Sequence, residues 1–458
     1  TTSGHNCGKD RTGVKLTRSL GARKCETIAF VGAGGKTSAM FSLAREMRQP
    51  VVLTTTTHMG AWQAALADEH LVVEPGDDLK SLTFNDNKIV LVTGPAGEDE
   101  RLGALDTVSL ETLKFRCKRD QIMLLIEADG ARRRNLKAPA AYEPVIPVWV
   151  DCVVVVAGLG GLGKPLDSET VHRPEIFSTL SHRPMGERIV VDDLVTVLGS
   201  EKGGLQGIPA SAQRILFLNQ AESQTLQAMG GRIARQLHSV YDRVLIGSLH
   251  QPGQTGPIFS AHAPTAGVIL AAGGSSRLGR PKQLLSWEGK PFIVHVVKNA
   301  LAGGLKPLIV VTGEDHQQIA SALEGFPVSL VHNENWLEGQ STSIRTGLAA
   351  LPEGIDSALF MLSDQPQIPI TLIRQLIEVY SQNRKPITAP MAGGQRGNPV
   401  LFANETFSAL SAVSGDKGGR AVFSQFDVDW LPWVDDRILM DVDTKEDLER
   451  LHDAYFPG

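Results

Sequence analysis

Twice in this chain of 458 residues an apolar run of strand length ends in a glycine-rich turn that carries a lysine. The first is Thr27–Val31, running into Gly32-Ala-Gly-Gly-Lys-Thr37, and the second is Ile269-Leu-Ala-Ala-Gly-Gly-Ser-Ser-Arg-Leu-Gly-Arg-Pro-Lys282. A strand that feeds such a turn presents bare backbone N–H groups to an anion at its C-terminal end, the place where open α/β sheets bind ligands. In the second turn Gly273 and Gly274 free the backbone, Ala271, Ala272 and Ser275 share the turn, and Arg277 and Lys282 supply charge for a triphosphate. In the first, Gly32, Gly34 and Gly35 form the nest, Lys36 brings charge, and Thr37 brings a hydroxyl for magnesium where a helix opens.

The rest of the chain fits two α/β units. Short apolar runs at Thr27–Val31, Val51–Thr54, Ile89–Thr93, Ile122–Ile126, Cys152–Ala157, Ile215–Leu218 and Val244–Ile246 alternate with helical segments such as Thr37–Met47. That pattern predicts a mostly parallel sheet covered on both faces. Leu249-His-Gln-Pro-Gly-Gln-Thr-Gly-Pro257 and Ala261-His-Ala-Pro-Thr265 lack periodicity and mark a boundary near residue 260. We therefore expect a flexible lead over 1–24, a P-loop-like three-layer domain over 25–250, a linker over 251–265, and a Rossmann-like three-layer domain over 266–458.

The first glycine turn departs from the full P-loop pattern, because its first glycine position holds Phe30. Two later segments support nucleotide binding there. Ile126-Glu-Ala-Asp-Gly130 sets Asp129 at a strand end, where an acidic magnesium partner belongs, or where it caps a turn. Phe217-Leu-Asn-Gln-Ala-Glu222 resembles an altered base-reading motif of P-loop GTPases, which makes Asn219 a candidate contact to ATP or GTP. Arg132, Arg133 and Arg134 with Lys137 either clamp an anionic cofactor or form a solvated basic edge, and His58 follows a threonine run as a candidate phosphate or metal contact.

After the second turn come Ser363-Asp-Gln-Pro366, Arg396-Gly-Asn-Pro399, Gly415-Asp-Lys-Gly-Gly-Arg420 and Asp441-Val-Asp443. In that order, from Ala266 to His452, these motifs resemble the MocA-like molybdenum cofactor cytidylyltransferases within the MobA-like nucleotidyltransferases. The resemblance implies an enzyme that joins CMP from CTP to the phosphate of molybdenum-loaded molybdopterin and releases pyrophosphate. It places magnesium on Asp364 and Asp443, with Asp441 as the alternative, and makes Arg277, Lys282 and Asp364 the catalytic group. It brings Ser341 near the nucleobase, although Ser341 and Thr342 also suit helix caps before a helix over Ser343 to Leu351. It seats the second substrate on Arg396, Asn398, Asp416, Lys417 and Arg420. Two carboxylates suffice for magnesium, a hard cation that keeps several waters and neutralises charge on the transferring and departing phosphates. For Asp443 an N-cap role on the helix Lys445 to His452 is compatible with metal binding.

Residues 25 to 250 resemble the YqeC-like family, described as accessory proteins of selenium-dependent molybdenum hydroxylases, through Gly32–Thr37, Thr54-Thr-Thr-Thr-His-Met59 and Glu127-Ala-Asp-Gly-Ala131. That resemblance implies a molybdenum hydroxylase apoenzyme as partner. A carrier that senses nucleotides without turnover, and a nucleotidyltransferase using GTP or a sugar phosphate, are the alternatives.

Composition narrows the partners. A formal charge of −5 argues against a nucleic-acid or membrane-surface binder, so small charged ligands are expected. The four cysteines have no CxxC spacing, which fits a reducing cytoplasm. No run reaches the roughly 18 apolar residues of a membrane span.

Overall fold

The computed structural model describes residues 14–21, 26–47, 49–76, 79, 84, 87–97, 101–249, 256–273, 281–442 and 444–455. It forms two compact units, Thr1–His262 and Ala263–Gly458. Both are α/β, and neither contains a described helix long and apolar enough to cross a membrane.

In the N-terminal unit the sheet runs, from one edge, Ile258–His262, Arg243–Gly247, Gln213–Asn219, Cys152–Gly158, Thr27–Gly32, Met123–Glu127, Val51–Thr55 and Ile89–Ala96. Every pairing from Arg243–Gly247 to Ile89–Ala96 is parallel. Parallel strands covered on both faces read as unbroken apolar runs, and the alternate residues of Thr27–Gly32 show why. Ile28 and Phe30 enter a layer with Ala39, Met40 and Leu43 of the helix Lys36–Glu46. Ala29 and Val31 enter the opposite layer with Phe177, Leu194 and Ile233, from three other helices. Each large apolar side chain buried in this way contributes about 1.5–3 kcal/mol.

Two expectations need correction here. Within the stretch read as a flexible lead, Leu16–Leu20 is a helix whose Leu16 and Leu20 are buried on the same face as Lys36–Glu46. Glu46 caps it by accepting from the Leu16 and Thr17 amides at 2.9 and 2.8 Å. One turn holds too few apolar residues to show periodicity, so the basic composition dominated the reading. Within the stretch read as a linker, Ile258–His262 pairs antiparallel with Arg243–Gly247 as an edge strand. Its hydrogen bonds satisfy the sheet edge despite the flanking prolines.

The C-terminal sheet is mixed. Thr265–Ala271 lies at its centre, parallel to Leu308–Thr312 on one side and Ser357–Leu362 on the other. Val400–Ala403 then joins Ser357–Leu362 antiparallel. Ile269 and Ala271 face one layer, and Ala266 and Val268 face the other, again making three layers. The helix expected to start at Ser343 begins at Gln340, so Ser341 and Thr342 lie inside its first turn.

A chain of alternating charges ties the N-terminal sheet to the segment that follows Met123–Glu127. Asp129 is buried between Lys36 and Lys137, each at 2.8 Å. Lys137 reaches on to Glu143 at 2.7 Å, and Arg173 closes the chain with two bonds to Glu143 at 2.6 and 2.9 Å. Removing one member of such a buried array leaves an uncompensated charge, which costs about 3–5 kcal/mol. Burial alone would raise the Glu143 carboxyl, but hydrogen bonds from Arg173 and Lys137 hold it at about 2. The neighbouring His172 is pushed down to about 4 by burial and by the cations Arg173 and Lys137.

Both shifts have the same consequence in acid. His172 stays neutral in the fold while the unfolded chain takes up its proton near 6.5, so stability is lost as pH falls from about 6.5 towards 4. Glu143 adds to the loss below its ordinary value of 4.5. Glu127, raised by burial, contributes stability with the opposite sign, so the His172 component must be isolated by substitution. Calorimetry of His172→Gln should therefore show a smaller drop in N-terminal-unit Tm between pH 7 and pH 5 than the unsubstituted chain shows. Equal drops would remove His172 from this account.

Candidate functional site

The N-terminal glycine turn is held open from below. At Gly32, with φ +92°, a Cβ would lie 2.2 Å from the Val156 carbonyl oxygen, and at Gly34, with φ +81°, one would lie 2.4 Å from the Gly158 nitrogen. No other residue type fits at either position. The turn's own amides are committed: Gly32 donates to Asp129 at 3.0 Å, Ala33 to Val156 and Gly34 to Arg134. Donors for an anion are left in the first turn of the helix Lys36–Glu46, whose N–H groups have no intrahelical acceptor. They open onto a cleft of about 820 Å³.

Within that cleft the candidate residues divide by role. Lys36 turns back under the loop, donating to the Gly32 carbonyl at 2.6 Å and pairing with Asp129. Asn219, 1% exposed, is a strut: its amide donates to the Gly34 carbonyl at 2.7 Å and its carbonyl accepts from the Leu249 amide at 3.2 Å. Thr37 donates to Glu127 at 3.1 Å. Glu127, and not Asp129, is thus the carboxylate within reach of the Thr37 hydroxyl, and burial raises its pKa despite Lys36 nearby. The sequence placed both acids at this strand end but could not show which of them the lysines engage. A hydroxyl and one carboxylate beside a phosphate cradle fit magnesium, which takes few protein ligands. Arg101, Arg132, Arg133, Arg134 and Arg173 face the same cleft, as does His58.

The C-terminal site forms where Thr265–Ala271 meets Ser357–Leu362. Gln283, almost wholly buried, fixes the start of the glycine turn by donating to the Ala271 and Gly273 carbonyls at 3.1 and 2.8 Å. Lys282 opens the short helical turn Lys282–Leu284 and lies against Gly273, with its Cε 3.9 Å from where a Cβ there would stand. Its ammonium pairs with Asp364, so Asp364 faces the glycine turn. Ala272 packs at the same strand end, beneath Gly313 and Trp336. Gly274, Ser275 and Arg277 lie outside the described residues, as does Asp443.

Late carboxylates reach this corner through amide ties. Gln365 donates to Asp441 at 2.7 Å, and Gln367 donates to the Met440 and Arg437 carbonyls at 2.7 and 3.3 Å. These bonds fasten the segment ahead of Asp443 to the loop that carries Asp364. The buried Gln365 and Gln283 side-chain carbonyls have no partner in the structure. One carboxylate facing the turn, a second tied to the same corner by Gln365, and buried oxygens nearby suit a hard cation that retains water.

A second set of residues lies between Arg396 and Arg420. The Arg396 guanidinium lies 4.5 Å over the Phe423 ring, and burial and then Arg420 lower its pKa, so the two arginines are neighbours. Asn398 is half-buried beside Gly397, which packs on Ile438. The turn holding Asp416 and Lys417 crosses the start of the helix Gln340–Ala349, with Gly418 against Gln340. The side chains of Asp416 and Lys417 lie outside the described residues. Ser341 in that helix is 1% exposed and its hydroxyl has no partner in the structure. Sequence reasoning passed over Gln283 and Trp62. Glutamine and tryptophan carry no motif spacing, and their roles come from packing against the glycine turns and the cleft.

Comparison with known proteins places both halves. Residues 28–175 match the YqeC protein family, and residues 267–429 match the MobA-like NTP transferase domain. The chain is 30% identical to the YqeC protein of Escherichia coli strain K12, over 47% of this chain and 87% of that one. It is 31% identical to nicotine blue oxidoreductase of Paenarthrobacter nicotinovorans, over 41% of this chain and 94% of that one. It is 24% identical to molybdenum cofactor cytidylyltransferase of Escherichia coli strain K12, over 41% of this chain and 95% of that one. The chain therefore belongs to the YqeC family through its N-terminal half and to the MobA-like NTP transferases, a family of nucleotidyltransferase enzymes, through its C-terminal half.

Proposed function

We propose that the C-terminal unit transfers the cytidylyl group of CTP to the terminal phosphate of molybdenum-loaded molybdopterin, and that the N-terminal unit binds ATP or GTP while a molybdenum hydroxylase apoenzyme matures. The pairing of Lys282 with Asp364 against the glycine turn carries this reading. It brings one cation and one carboxylate to the point where a strand presents a phosphate cradle.

The chemistry requires little beyond positioning. An oxygen of the acceptor phosphate forms a bond to the α-phosphorus of CTP as the bond to the bridging oxygen breaks, and that electron pair leaves with pyrophosphate. No side-chain nucleophile takes part, so the acceleration comes from orientation and from charge aimed at the transferring group. Lys282 leaves Asp364 to hold the outer phosphates, and Asp364, with Asp441 or Asp443, is released to hold magnesium. Magnesium, when bound, neutralises charge on the α-phosphate and the departing pyrophosphate. Arg396 and Arg420, adjacent and cationic, seat the acceptor phosphate. The oxidoreductase name of one relative belongs to that protein, and a redox activity here is the competing reading to be tested.

Two measurements decide between these readings. Asp364→Ala and Lys282→Ala should each lower magnesium-dependent pyrophosphate release by about 10²-fold or more, with the C-terminal melting transition retained. Full turnover in Asp364→Ala would dismiss the metal assignment. Incubation of the chain with each of the four triphosphates and loaded molybdopterin should yield the cytosine dinucleotide. Consumption of NADH or NADPH with no dinucleotide formed would instead support the redox reading.

The N-terminal unit has its own test. ATP or GTP at 100 times its Kd should stabilise that unit by about 2.7 kcal/mol. The protection should vanish in Lys36→Ala and weaken in Thr37→Ala, which leaves the Lys36 to Asp129 pair in place. Absence of protection by any nucleotide in the unsubstituted chain would favour a carrier role.

A further inference from the structure

One wall of the N-terminal cleft is built by residues outside the glycine turn and its helix. The segment Gly130–Arg134 crosses the cleft beside that turn, and Arg132 and Arg133 both take left-handed backbone angles, with φ +46° and +60°. Long side chains disfavour that region, where glycine or asparagine would be at ease, at about 1–2 kcal/mol per residue. The fold nonetheless places two arginines there, exposed and side by side. Every other cation of the cleft has a described acceptor. Lys36 pairs with Asp129, Arg134 with Glu169 and Arg173 with Glu143, and Arg101 donates to the His58 carbonyl. Among the described residues no carboxylate pairs with Arg132 or Arg133.

Arg133 instead lies 4.9 Å over the indole of Trp62, on the facing wall. Trp62 is 52% exposed, and its pyrrole edge is held by Gly60, where a Cβ would come within 2.6 Å of the indole nitrogen. A fixed, half-exposed indole beside two guanidinium groups is equipment for a planar heterocycle that also carries negative charge. The cleft volume of about 820 Å³ lies in the upper part of the range of about 300–1,000 Å³ that small-molecule sites occupy.

We propose that Arg132, Arg133 and Trp62 form a second subsite, and that the cleft as a whole accommodates a pyrophosphate-bridged dinucleotide of the class made by the C-terminal unit. The assignment rests on the transferase reading for the identity of that ligand. One phosphate end takes the place of the ATP or GTP phosphates at the helix Lys36–Glu46, so the two ligands compete, the other anionic group lies between the two arginines, and a ring stacks on the exposed face of Trp62. The N-terminal unit then receives the product of the transfer reaction, which places it after the C-terminal unit in the reaction sequence.

The probe is pterin cytosine dinucleotide released from a purified hydroxylase, added directly so that binding does not depend on synthesis by this chain. A full-length Lys282→Ala chain, weakened at the C-terminal site, should still bind it in equilibrium dialysis. Adding Arg132→Gln and Arg133→Gln should weaken that binding tenfold or more, whereas Arg132→Lys with Arg133→Lys should retain part of it. Trp62→Phe should abolish the change in tryptophan fluorescence on binding. Loss of all binding in Lys282→Ala alone, or no response to the arginine substitutions with circular dichroism unchanged, would overturn the proposal. If the unsubstituted chain makes no dinucleotide from CTP, the transferase reading fails and the binding result still stands.

Discussion

A buried carboxylate governs the N-terminal unit. Asp129 receives the Gly32 amide and two ammonium groups while only 2% exposed, so a single side chain fixes the glycine turn, the helix behind it and the strand-to-loop crossing that carries Lys137. A carboxylate in that position is tolerable only because its charge is answered at every side. Extension through Glu143 and Arg173 spreads the same compensation to the cleft wall. The cleft is thus built outward from a network of charges that bulk solvent screens little.

The C-terminal unit solves the same problem with a neutral group. There Gln283 holds the start of the turn through two carbonyls. Lys282 and Asp364 are left at the mouth of the site, with side chains 17% and 11% exposed, paired with each other. At that burial a phosphate and a cation must replace the contacts that each partner gives up. The arrangement keeps two reactive charges in register while leaving both available to a triphosphate and a cation.

How much of this was legible in the sequence follows from the range of each signal. The strand-to-turn junctions at Gly32 and Gly273 were plain, since apolar runs and glycines are local features. Covered parallel strands announced themselves as runs such as Cys152–Ala157, and the two-layer coverage followed. The helix Leu16–Leu20 was hidden because its stability comes from Glu46 and from burial against a distant helix, not from its own five residues. The edge strand Ile258–His262 was hidden for the same reason, its partner being Arg243–Gly247. Choosing Glu127 over Asp129 as the neighbour of Thr37 required knowing where Lys137 points, which is a tertiary fact. Asn219 reads as a candidate nucleotide contact, and its bond to Gly34 makes it a brace for the loop.

The difference between the two lysines bears on how the two halves handle ligands. Lys36, 5% exposed, can swing to a phosphate only by leaving the Gly32 carbonyl and a carboxylate that Lys137 must then answer alone. Such a rearrangement is opposed by desolvation and favours one arrangement or the other with little between, which suits a site that holds its ligand for long periods. Lys282 faces a smaller barrier, because Asp364 is released towards an incoming cation and not into an apolar interior.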